Sequence, residues 1–313
     1  MKLRNTFTIL FLSLCWISCK KDEAEKLPEP SAAVIEMEGE SGIFEVQMGP
    51  GQWQITGVLN KKGLVAINGD SYAPDGKLTG KNNVLTLAGP GKLEALWKDK
   101  GFSIVRNDLS LLKIALNENS TGEDFSFVVK LQSDQQSREI TVLQKKSKGY
   151  LFSDIAYSLR EGDGDSLFTA KGTTYNVDVP SAGEFSFSPF SGININQQTY
   201  FESRQDDAFV WLKDSAVLVK VPSGIEKNAV YYSGDKTPYS SETTANPYKP
   251  VEAMKTVLVP AGKSQVFAEI EYRKRKVSYT LNLTNNRTKA QKVIEGKWIQ
   301  ITPTGKYAVR VGN

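Results

Sequence analysis

The side chains that do most enzyme chemistry are scarce in this 313-residue chain, which holds no histidine and only two cysteines, Cys15 and Cys19. Without histidine there is no Ser-His-Asp triad, no His-bearing zinc site, and not the commonest general base. An enzyme here would have to work with carboxylates, lysine or tyrosine. Glu161-Gly162-Asp163-Gly164-Asp165-Ser166 sets three carboxylates at alternate positions, as a calcium loop begins. That loop wants Gly at its sixth place and Glu at its twelfth, where this chain has Ser166 and Gly172. A Gly-rich hairpin turn fits better. Asp206-Asp207 suggests the paired carboxylates of a glycoside hydrolase. Neighbours on a strand point to opposite faces, however, so these two cannot flank one bond, and a turn is expected. We expect no catalytic residue, no metal and no cofactor.

Aromatic side chains offer binding chemistry instead. Residues 233–250 carry Tyr239 and Tyr248 among Pro, Ser, Thr, Asn and Lys, directly after Tyr231-Tyr232. Long structureless loops are uncommon in compact domains and often functional. Tyrosine with Asn and Ser can stack on a sugar and hydrogen-bond its hydroxyls. The alternative is a surface loop without a partner, and the sequence leaves both open. Trp97, beside Lys98 and Asp99, is either a sugar platform or core, and Trp211 is a further candidate. Trp53, next to Ile55 in a strand-like run, is expected in the core.

The cysteines carry a different chemistry. Lys2 and Arg4 precede an apolar run, Thr6 to Ser18, too short to span a hydrocarbon core of about 30 Å as a helix. Residues 1–18 therefore read as a signal peptide. Ile17-Ser18-Cys19 resembles the lipobox of bacterial lipoproteins, with Trp16 where Leu is usual. Cys15 follows the bulky Leu14 and fits less well. Acylation at Cys19 leaves a mature chain with no thiol and no disulfide. The alternative is an ordinary secretory cleavage with Cys19 left as a thiol. Stable anchoring takes more than one lipid chain, and the resemblance implies three. Lys20-Lys21-Asp22-Glu23 is similar to surface-export tags of Bacteroidetes lipoproteins, which implies an outer-membrane anchor facing the exterior. Residues 19–32, charged and broken by Pro28 and Pro30, read as a tether reaching at most roughly 40 Å.

From Ala33 onward the elements are strands. Phe44, Val46 and Met48 alternate with Glu45 and Gln47, and Phe125, Phe127, Val129 and Leu131 share a second face. Gly- and Asn-rich turns separate the runs, and no apolar stripe of helical period persists. The expected fold class is all-β: two tandem β-sandwich domains, 33–146 and 150–313, after a cleaved lipoprotein signal and flexible tether. Val266–Tyr272 and Val277–Leu283 read as the arms of a hairpin, with Arg273-Lys274-Arg275-Lys276 as its solvated tip. A polyanion site is the other reading of that run.

Three stretches of the first domain, Gln52-Trp53-Gln54-Ile55, Asn117 to Glu123 and Arg138-Glu139-Ile140-Thr141-Val142-Leu143-Gln144, resemble the BACON domain family of Bacteroidetes. The resemblance covers residues 33–146 and implies an immunoglobulin-like sandwich named for presumed carbohydrate binding. Gly57 to Lys100 is longer than the family's pattern, and Asp124 stands where Arg often follows the Asn-Ser/Thr turn.

The chain carries 39 Lys+Arg against 35 Asp+Glu; a leader holding only Lys2 and Arg4 takes away two cations, leaving near neutrality. That gives nucleic acid no electrostatic support as a partner. The expected function is a non-catalytic cell-surface lipoprotein, binding glycan or serving polysaccharide capture. Its partners would be the membrane through its lipid, a polysaccharide or glycoprotein glycan, and an outer-membrane transporter. The alternative is a structural adhesin or fimbria-like component, and carboxylate-based glycoside hydrolysis comes third.

Overall fold

The structure, a computed structural model, describes residues 33–49, 52–134, 136–191, 195–212, 217–249 and 254–312. The leader, Cys19 and the tether lie outside the described residues. The fold is all-β; the helical piece among the described residues is one 3-10 turn, Val210–Leu212.

Ten strands make the first half: β1 (Val34–Met37), β2 (Glu40–Gln47), β3 (Gln54–Asn60), β4 (Asn68–Tyr72), β5 (Leu78–Val84), β6 (Gly91–Leu96), β7 (Gly101–Arg106), β8 (Leu111–Glu118), β9 (Phe125–Gln132) and β10 (Ser137–Gln144). They form a four-stranded sheet, β1-β10-β9-β3, and a six-stranded sheet, β2-β8-β7-β6-β4-β5. One core lies between the sheets, so the half is a β-sandwich. The alternation in the sequence explains it: Phe125, Phe127, Val129 and Leu131 of β9 all point into that core, and Phe102 stacks on Phe127 at 4.3 Å between ring centroids. Trp53 is 1% exposed, as expected of a core residue. The extra length between Gly57 and Lys100 folds as β4, β5 and β6, which widen the second sheet.

Polar residues in the stretches 117–124 and 138–144 tie the turns and closing strand of this sandwich together. Buried Asn119 donates to the carbonyls of Glu123 at 2.8 Å and Lys145 at 3.1 Å, and accepts from the Thr121 hydroxyl. Gln144 donates to the Asn117 carbonyl at 2.7 Å. Asp124 accepts the Lys146 N–H at 2.9 Å. These side chains replace backbone partners that a turn leaves empty.

The second half contains β11 (Tyr150–Ser158), β12 (Gly164–Val179), β13 (Gly183–Phe187), β14 (Asn196–Ser203), β15 (Leu218–Lys220), β16 (Gly224–Glu226), β17 (Ala229–Tyr231), β18 (Lys236–Pro238), β19 (Thr244–Pro247), β20 (Lys255–Val259), β21 (Gly262–Asn285) and β22 (Gln291–Gly312). Two strands of 24 and 22 residues, β21 and β22, pair along nearly their whole length. Against them lie β14 and β19 on one side, and β11 and β12 end to end on the other. Three two-stranded sheets, β13-β20, β15-β18 and β16-β17, complete the layers.

The hairpin expected over 266–283 is absent, because those residues form the single strand β21. Its buried apolar positions are even-numbered at first (Val266, Ala268, Ile270) and odd-numbered later (Val277, Tyr279, Leu281, Leu283). Successive strand residues face opposite sides, so the change of phase moves the core from one face of the ribbon to the other. β22 changes in step: Ile294 and Trp298 face one core, Tyr307 and Val309 the other. A phase change looks like a turn in sequence, and here it marks a crossing of cores.

Candidate functional site

The two halves share no sheet, and where they meet the surface is hollowed by about 510 Å³. Five pieces of chain line this groove: Glu40-Ser41 at the start of β2, the β6–β7 turn with Trp97, the end of β8 with Asn117 and Glu118, Tyr150 at the start of β11, and Asp206-Asp207 after β14. The tight β6–β7 turn, closed by a 3.0 Å bond from the Trp97 N–H to the Lys100 carbonyl, pushes the indole outward. Trp97 is 43% exposed. Its inner edge rests on Phe125, at 6.0 Å between centroids and 75° between planes. Lys100 Nζ stands 5.5 Å from the indole centroid. An exposed contact of that kind is worth only about 0.5–1 kcal/mol, so a ligand can displace the ammonium.

The floor of the groove is a polar lock between the halves. Glu118 accepts from the Tyr150 hydroxyl at 2.8 Å and from Ser147 Oγ at 2.7 Å. Lys292 reaches Asp207 Oδ2 at 2.7 Å and Glu118 Oε2 at 3.8 Å, with its ammonium 4.9 Å from the Tyr150 ring centroid. Burial, and then the Glu118 carboxylate, push the Tyr150 phenol well above its ordinary value. Glu40 is buried, which alone would raise its pKa; the Lys148 N–H and the Arg287 guanidinium more than offset this and hold it low. These groups are fixed by one another, so the site is pre-formed. A half-exposed indole over a rim of amide, hydroxyl and carboxylate can stack on the apolar face of a sugar ring and hydrogen-bond its hydroxyls.

The other aromatics expected to bind ligand are not gathered here. Tyr239 is 2% exposed, and its hydroxyl meets that of Tyr279 at 2.8 Å inside the core. Trp211 is half-buried beside it, at 6.0 Å between centroids, with Nε1 donating to the Ala208 carbonyl. Tyr248 is half-buried against the far core, next to β19. Tyr231 and Tyr232 are exposed at the end of the β16-β17 hairpin, with Tyr232 6.1 Å from Tyr157. The expected structureless loop is therefore corrected: 233–250 contains β18 and β19, and Tyr239 faces inward because it caps a cluster with Phe201, Phe209 and Tyr279. Sequence reading missed Asn117, Glu118, Tyr150 and Asp207 as groove residues. Their one legible signal was position next to a domain join, where clefts favour forming.

The alternate carboxylates of the Gly-rich turn are engaged by protein. Asp163 accepts from Lys297 Nζ at 2.6 Å and Ser278 Oγ at 2.6 Å, and Asp165 takes Arg275 Nε and Nη2 at 2.7 and 2.8 Å. Asp206-Asp207 lies in a turn, as expected.

No family model matches the chain, and no curated protein matches it. Among solved structures it is similar to a lamprey immune protein, with 11% identity and a TM-score of 0.33 over 87% of this chain and 98% of that one. It is also similar to parasporin-2, a Bacillus thuringiensis toxin that recognizes cancer cells, with 11% identity and a TM-score of 0.30 over 61% of this chain and 74% of that one. The two-domain DIP-gamma IG1+IG2 matches at 10% identity and a TM-score of 0.23 over 86% and 95%. Likenesses of this size carry no argument about function.

Proposed function

We propose that this chain is a non-catalytic lipoprotein, anchored through Cys19 in the outer membrane and facing the exterior, that captures glycan in the groove beside Trp97. The observation that supports the reading is the indole itself: a large apolar face left exposed above a rim of fixed polar groups. Burial of that face by a sugar ring gains free energy of about 25 cal/mol per Å² of apolar surface, while the rim selects by hydrogen bonds. Supply to an outer-membrane transporter is the role that the anchor and the BACON-like resemblance suggest.

The test is affinity electrophoresis of the full chain through neutral polysaccharides, beside its Trp97→Ala variant. Retention by at least one polysaccharide, lost in the variant while thermal stability stays unchanged, is the expected result. Equal retention of both proteins, or none by either, rejects the groove as the site. The anchor is tested separately: Cys19→Ser should release the chain from the membrane fraction.

A further inference from the structure

The basic run Arg273-Lys274-Arg275-Lys276, expected at a hairpin tip, lies in mid-strand, and the pleat divides it. Arg275 turns inward: it is 3% exposed, bound through two nitrogens to Asp165 and through a third to the Ser223 carbonyl. Lys274 and Lys276 turn to the opposite face. There they border two hollows that meet at Lys276, one of about 970 Å³ and one of about 300 Å³. Lys297, Arg160 and Arg204 line the larger.

The charges of this face do not balance. Arg160 is held by Glu295 at 2.7 Å, and Lys297 by Asp163 at 2.6 Å. Lys274, Lys276 and Arg204 have no ion-pair or hydrogen-bond partner for their side chains among the described residues, and Glu202 is the one carboxylate of the larger hollow in the same state. Alternate lysines on a strand stand about 7 Å apart, and Lys297 lies two residues beyond, across from Ser278. The result is a row of cations along a shallow trough, whose other polar side chains, Ser278, Ser203 and Gln205, are bonded within the protein and hold its shape. Among the residues lining the larger hollow, Val293 is the only large apolar one, which gives a lipid surface little to hold.

We infer that this trough binds an anionic polysaccharide, one carrying uronate carboxylates or sulfate esters at intervals along its chain. The site is separate from the Trp97 groove and does not depend on it. Lys274, Lys276 and Arg204 supply the attraction, and Lys297, pinned by Asp163 and Ser278, supplies a fixed donor. Multiple exposed charge contacts make the binding salt-sensitive.

The experiment measures binding of the full chain to polygalacturonate and to dextran sulfate, with neutral dextran as the blank. The variants are the double Lys274→Gln/Lys276→Gln and, as a control on the first half, Lys61→Gln/Lys62→Gln. At least one polyanion should bind, weakening by about tenfold or more between roughly 50 and 300 mM salt. The first double variant should lose about tenfold and the control stay within about twofold. Equal losses in both variants would reduce the effect to net charge and overturn the proposal. So would absence of binding to either polyanion, or competition by duplex DNA or by phosphatidylserine vesicles that bind more tightly than both. Trp97→Ala, assayed in parallel, should leave polyanion binding intact, so failure here is distinguishable from failure of the groove.

Discussion

In the first half one core of Trp53, Phe102, Phe127 and their neighbours fills the space between two sheets, and strands such as β8, β9 and β10 feed it from one face. The second half divides its apolar residues between two smaller cores, Tyr279 and Trp298 in one, Val266, Ala268 and Ile270 in the other, on opposite faces of strands that both cores share. A strand that serves one core needs only alternation. A strand that serves two needs a crossing point where neither face is fully apolar, and the chain places charged groups there. Arg275 with Asp165 and Lys297 with Asp163 occupy that stretch. The buried arginine of the first half, Arg106, serves a different purpose: it bonds backbone carbonyls of Trp53, Asp108 and Leu109 and has no deep carboxylate partner. In the first half the buried cation rests on backbone carbonyls; in the second it rests on a carboxylate as well.

The largest test of that contrast removes one indole from each half. Trp53→Ala and Trp298→Ala should each cost about 3–5 kcal/mol, since both side chains are fully buried. If the halves differ as their cores suggest, urea unfolding shows two transitions, the second half melting first. Trp298→Ala should then move only the early transition and Trp53→Ala only the late one. A single transition shifted equally by both would mean that Glu40–Arg287 and Glu118–Lys292 weld the halves into one cooperative unit.

Next in size is the crossing itself. Arg275→Ala strips Asp165 of its two hydrogen bonds and leaves it only Arg273 at 3.9 Å, and because Asp165 is partly solvated we expect about 2–3 kcal/mol rather than the full cost of a deep ion pair. Both second-half cores should loosen together, read as faster amide exchange in β12 and in β21 on both sides of the substitution. Loosening confined to one core would show that the cores are energetically separate.

The smallest effect is on pH. Burial alone would raise the Asp163 pKa, but Lys297, Ser278 and two backbone N–H groups hold it below the ordinary 3.8. A folded value below the unfolded one gives stability that is complete above the unfolded value. That stability is lost as pH falls through the folded value, so the second half should weaken below about pH 4. Asp163→Asn should flatten this acid limb, measured as the urea midpoint of the early transition at neutral and acid pH. An unchanged limb would remove Asp163 from the account.

Much of this was legible in the chain. Alternation at Phe125 to Leu131 and the turns between runs gave the β class, and the Trp53 environment gave its burial. The phase change within 266–283 was also visible, but a turn and a change of core produce the same pattern in one dimension. Tyr239 sits in a polar, proline-rich stretch with every local mark of a surface loop. It is buried because Phe201 and Tyr279, distant in sequence, arrive beside it. The groove residues were illegible for the same reason, since Trp97, Tyr150 and Asp207 meet only where the two halves touch.

What the sequence by itself determined is chemical: no histidine, a near-neutral charge, and strand periodicity set by the order of apolar and polar residues. Those are properties of composition and of near neighbours, and folding cannot alter them. What the tertiary structure decided is which aromatics reach solvent and which cations keep a partner. Both depend on residues tens to hundreds of positions apart, as when Asp165 meets Arg275 and leaves Lys274 and Lys276 facing outward.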